Sequence, residues 1–129
     1  MQTTEPGVVL FTPDGDARVI NIETTEDYAE QTQILAAVLG YPVPDVEILH
    51  TKFSRLVYGP GTEPNPVLAG VLRHWLLWDP NDRRSRPLTG PVVLTGYQYE
   101  DDEGPLCNHR VQDLELIGDY WQMSRAALL

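Results

Sequence analysis

Apolar and polar residues fall into short blocks along this chain, each separated from the next by a proline or a glycine. Gly7–Phe11 is an apolar run, and Ala17–Ile22 alternates. Between them lies Thr12-Pro13-Asp14-Gly15-Asp16. Pro13 suits the second position of a turn and Gly15 a residue with positive φ, so the two blocks predict a β-hairpin. Thr24–Gly40 changes period. Tyr28, Gln31, Ile34, Leu35, Val38 and Leu39 share one face at helical spacing, with Glu26, Glu30 and Gln33 opposite. Thr24 or Thr25 is the expected cap, Glu26 and Asp27 favour the positive end of the helix dipole, and Gly40 and Pro42 end the helix. Val46–His50 and Ser54–Gly59 are strand-like, with a turn expected at Thr51–Phe53.

A second helix is expected from Asn65, its cap, through Pro66 at the first helical position to Trp78. Val67, Leu68, Ala69, Val71, Leu72, Trp75, Leu76 and Trp78 fill a wide apolar arc, which suits a helix lying on a sheet and places Trp75 in the core. Gly70, Arg73, His74 and Leu77 fill the rest, so Arg73 and His74 are expected to face solvent or a partner. Asp79-Pro80 stops the helix. Pro91–Tyr99 is the clearest strand, with a bulge or close contact at Gly96. Leu106–Val111 is the expected returning strand. The tail from Gln112 reads as a helix broken at Gly118. The order ββαββαββ predicts an α+β fold. It is a single domain over residues 1–129, with a mostly antiparallel sheet, two main helices packed on it and a C-terminal helical tail.

Charge narrows the functional classes. The net charge is −10, from 19 acidic and 9 basic residues. That balance opposes direct binding to a nucleic-acid backbone, where cations must displace counterions, and to an anionic membrane surface. It suits a basic protein partner or plain solubility. Cys107 is the only cysteine, so no internal disulfide can form and a reducing compartment is expected. The first residues lack the basic and apolar regions of a signal peptide, and no stretch approaches the ~18 apolar residues of a membrane span. The expected location is the cytoplasm, of the host cell if the chain is phage-encoded.

The landmarks from Val8 to Gly96 resemble a family. They are the opening Val8–Ile22, the helix ending near Ala36–Tyr41, the strand Ser54–Gly59, Pro64–Leu72, and Arg86–Gly96. In this order they resemble small proteins of tailed phages, plasmids and their bacterial hosts that form a domain of unknown function. The resemblance implies a phage or mobile-element origin. It carries over no activity and no catalytic residue. The chain departs from the pattern in a longer, arginine-rich segment after the second helix and in its acidic last third.

Tyr58–Asn65 has two glycines but lacks the lysine and the strand-to-helix turn of a phosphate loop. Cys107 and His109 are two residues apart, the proximity a thiolate–imidazole pair needs. Zinc would require two more ligands, and His50 and His74 belong to no ligand motif. The expectation is a buried cysteine beside a surface histidine, with no catalytic, metal or cofactor site. Glu100, Asp101, Asp102 and Glu103 are consecutive, unlike the alternating ligands of a calcium loop, and read as an acidic turn. Together with Glu26 and Glu30 they are the candidate partner-binding residues. Arg73, His74, Arg83, Arg84 and Arg86 are the candidate ligand-binding residues, since arginine forks suit phosphate or carboxylate. Three functions follow: an accessory protein that binds a host protein without catalysis, an acidic mimic of nucleic acid that inhibits a host DNA-binding or defence protein, and a small-molecule binder built on the arginine-rich loop.

Overall fold

The computed structural model describes residues 5–22, 27–50, 54–75, 88–96 and 107–128. Five strands form one antiparallel sheet: β1 (Val8–Phe11), β2 (Ala17–Ile20), β3 (Glu47–His50), β4 (Arg55–Tyr58) and β5 (Val92–Thr95), in the spatial order β2-β1-β5-β4-β3. Three helices accompany them: α1 (Tyr28–Leu39), α2 (Pro66–Trp75) and α3 (Val111–Ala127). The fold is α+β, as the pattern predicts.

Both expected strand pairs form, and the turn expected at Thr51–Phe53 lies outside the described residues. Val8 pairs with Ile20 and Phe11 with Ala17, while Glu47 pairs with Tyr58 and His50 with Arg55. In the first turn Gly15 has φ of 90°, the left-handed conformation its position requires. The Asp14 carboxylate accepts from the Thr12 hydroxyl and, at 3.1 Å, from the Asp16 N–H. These hydrogen bonds hold its pKa below the ordinary aspartate value. The last strand is not half of a third hairpin. β5 inserts between the two hairpins, pairing with β1 on one side and β4 on the other.

Because the sheet is covered on both faces, its central strands bury every side chain. Val9, Phe11, Leu56, Tyr58, Val92 and Leu94 pack under α2 and α3. Val8, Leu10, Val57 and Val93 point the other way, onto Leu35 and Leu39 of α1. Strand alternation thus feeds two separate cores, and the unbroken apolar runs of the sequence are its signature.

The helices differ from expectation at their ends. α1 starts at Tyr28, and its cap is Asp27 rather than Thr24 or Thr25. The Asp27 carboxylate accepts from the Ala29 and Glu30 N–H groups at 3.0 and 3.3 Å, the geometry of an N-cap. Gly40, with φ of 82°, ends α1 as expected. Asn65 sits at the start of α2, where Ala69 N–H donates to its carbonyl at 3.3 Å. Its side-chain amide reaches away from the helix, donating to the Phe11 and Gly90 carbonyls at 3.3 and 2.9 Å. Residues 76–78 of the expected helix lie outside the described residues.

Five further expectations are corrected. Of the returning strand expected at Leu106–Val111, Leu106 lies outside the described residues, and residues 107–111 form no strand. Cys107 and His109 make isolated bridges, and Arg110 already caps α3. The tail is a single helix of 17 residues that runs through Gly118 without a break. Gly118 is buried there, so packing offsets the modest cost of a mid-helix glycine. On α2, Ala69 is exposed. Trp75 is half-buried, and its indole N–H donates to the Ser54 hydroxyl at 2.8 Å. Gly70, expected on the open side, faces α3, where a Cβ on it would stand 2.7 Å from Ser124 Cβ.

Candidate functional site

Cys107-Asn108-His109 crosses the ends of three strands, and each residue grips one of them. The Gly96 N–H, just past β5, donates to the Cys107 carbonyl at 2.8 Å. His109 exchanges two backbone hydrogen bonds with Gly7, just before β1, at 2.7 and 3.2 Å. The Asn108 side chain treats Ile22, beyond β2, as a strand partner would. Its amide donates to the Ile22 carbonyl at 2.9 Å and accepts from the Ile22 N–H at 3.2 Å. Gly96 permits this approach, since a Cβ there would meet the Asn108 carbonyl oxygen at 2.7 Å. The close contact expected at Gly96 is therefore a contact with this clasp.

The clasp decides the chemistry of its two reactive side chains. The expectation of a buried cysteine beside a surface histidine is reversed. Cys107 is partly exposed, and His109 is buried at 2% exposure. Burial pushes the Cys107 thiol pKa up, against a smaller downward pull from the Arg55 guanidinium. That setting opposes thiolate formation. Burial pushes the His109 imidazole down to about 4, outweighing the Asp113 carboxylate and a backbone hydrogen bond at Leu94. The Trp75 ring stands edge-on to His109, with centroids 6.0 Å apart. A depressed imidazole beside a raised thiol is the opposite of an activated ion pair. Among the described residues, no group of three or more His, Cys, Asp or Glu side chains is placed to hold a metal ion.

The Asn108 grip predicts a measurable cost. Asn108→Ala leaves both Ile22 backbone groups without their partner and should destabilise the fold by about 1–3 kcal/mol. Urea unfolding measures it. A loss within error of zero would mean that water replaces the side chain freely.

The candidate ligand residues do not converge among the described residues. Arg73 and His74 are exposed in the last turn of α2. The His74 ring stacks on Tyr120 of α3, with centroids 5.2 Å apart and planes 19° from parallel, so it faces a neighbouring helix. Arg83, Arg84 and Arg86 lie outside the described residues. Of the candidate partner residues, Glu30 is exposed on α1, while Glu26, Glu100, Asp101, Asp102 and Glu103 lie outside the described residues. Exposed carboxylates also come from Asp45, Glu47, Glu63, Glu115 and Asp119.

Sequence reasoning missed Asn108 and the outer face of α3. Asn108 offered one signal, a polar residue between the paired Cys107 and His109. The outer face was hidden by the expected break at Gly118. No family model matches the chain, and no curated protein or solved structure matches it either. No helix among the described residues is long and apolar enough to cross a membrane.

Proposed function

We propose that this chain is a phage or mobile-element accessory protein that works in the cytoplasm and docks, without catalysis, on a basic surface of a host protein. The observation that carries the reading is its charge, −10 on 129 residues, together with exposed carboxylates on α1 and around β3. Clustered carboxylates steer a basic partner and speed encounter more than they deepen affinity. The non-catalytic half of the reading rests on Cys107 and His109. Both belong to the clasp, and burial moves both pKa values away from reactivity.

Changing Glu100, Asp101, Asp102 and Glu103 together to Gln, Asn, Asn and Gln should slow association with the captured host partner. The melting temperature should stay nearly unaltered. Each charge is screened beyond ~8 Å at physiological salt, so the four should matter together more than singly. Binding kinetics at low and high salt check this. Association that ignores both salt and the quadruple change would remove the docking reading and move the search to Arg73, His74 and the Arg83–Arg86 segment.

A further inference from the structure

α3 buries one side and carries a narrow apolar strip within the charged surface of the other. Leu114, Ile117 and Trp121 face the core. Leu116 and Met123 are two turns apart on the outer side and stand 41% and 53% exposed. Two large apolar side chains left in water on a rigid helix, rimmed by charge, are the anchors a docking partner would cover. We propose that the cover is a second copy of this chain, docked face to face over the α2–α3 pair with its two-fold axis parallel to the helices.

The charges around the stripe select this occupant. Gly70 meets Ser124, and His74 meets Tyr120. The numbers step in opposite directions, so α2 and α3 run antiparallel and Arg73 lies level with Trp121, within a turn of Asp119. Moving round α3 from Tyr120, which touches α2, the outer surface passes Leu116 and Met123 and reaches Asp119 and Glu115 on the side away from α2. Both carboxylates are exposed. Arg73 is exposed on the opposite, α2 side and forms no ion pair among the described residues. The face therefore has a positive edge, an apolar middle and a negative edge. A two-fold axis along the helices lays each Arg73 over Asp119 of the second copy and joins the two apolar stripes. An axis across the helices would set like charge on like charge. A uniformly basic partner would meet Arg73 at one edge, whereas a second copy answers both edges. Arg125 does not blur this division, because its guanidinium lies over the Trp121 ring at 4.8 Å.

Helix length and spacing give a footprint of roughly 25 by 20 Å. That is at the small end of specific interfaces, so association in the micromolar range is expected. At physiological salt the long-range repulsion between two acidic copies is screened beyond ~8 Å, and contacts at the face decide.

Sedimentation velocity over a micromolar to millimolar concentration series tests the proposal, with circular dichroism melts confirming the fold of each variant. The native chain should show a reversible monomer–dimer equilibrium. Met123→Glu should weaken it by ~10-fold or more without lowering the melting temperature, since the side chain is exposed in the monomer. Arg73→Asp and Asp119→Arg should each weaken the dimer, and the double variant should restore it. A monomer throughout the series would overturn the proposal, as would a dimer indifferent to Met123→Glu. Failure of the charge-swapped double variant to recover would overturn it too. None of these outcomes bears on docking to a host protein, which is read separately from the 100–103 variant.

Discussion

Trp121→Ala is expected to lower stability by about 3–5 kcal/mol, the range for deleting a buried large aromatic. Trp121 is 8% exposed and packs in the core between the sheet and the two helices. Its indole N–H also donates to the Gly15 carbonyl at 3.0 Å, which ties α3 to the turn of the first hairpin. One substitution therefore removes core volume and a long-range hydrogen bond together. Domains of this size are held by about 5–15 kcal/mol, so the variant should be much less stable and, at the low end of that range, partly unfolded. Trp121→Phe separates the two contributions. It keeps most of the packing and loses the hydrogen bond, and should cost less, with about 1 kcal/mol from the bond itself. Urea unfolding of both variants checks this. Equal losses would show that the hydrogen bond, rather than ring volume, anchors α3.

The second large effect is one of pH. His109 has a folded pKa of about 4, below its ordinary value of 6.5. Between these values the unfolded chain binds a proton that the folded chain refuses. Stability from this group is therefore complete above pH 6.5, falls as the pH drops through the window, and is lost by pH 4. A difference of this size corresponds to about 3 kcal/mol. Carboxylates add their own dependence at lower pH, so the comparison that isolates His109 is the slope of stability between pH 6.5 and 4 in the native chain and in His109→Gln. The variant should show a distinctly flatter slope, whatever its stability at pH 7. Parallel slopes would mean that the imidazole takes up its proton without opening the fold.

These two residues, with Asn108, make α3 and the segment before it the fastening of the molecule. The clasp fixes β1, β2 and β5 at one end. Trp121 fixes the hairpin turn near the other end of β1. A helix held before its start and again at Trp121 leaves its outer side free to present Leu116 and Met123 in a fixed geometry. A dimer built on that side would use a rigid element and incur little ordering cost on association.

The sequence by itself determined the elements whose signals are local. Pro13 and Gly15 announced the first turn, Gly40 the end of α1, Pro66 the start of α2, and the β-branched run at Val92–Thr95 its strand. Each is a short-range steric or hydrogen-bonding preference, complete within a few residues. The apolar faces of α1 and α2 were legible for the same reason, although Ala69 was too small to declare which side it took. Only the tertiary structure decided what depends on residues far apart in the chain. β5 lies between two hairpins because its two apolar faces need cover from both cores, and nothing in its own residues names its neighbours. Leu106–Val111 has the length and alternation of a strand, yet its Cys107-Asn108-His109 serves as a clasp because Gly7, Ile22 and Gly96 converge on it. Gly118 looked like a break, since glycine weakens an isolated helix. In the folded chain, burial of Leu114, Ile117 and Trp121 on either side of it outweighs that local preference and carries the helix through.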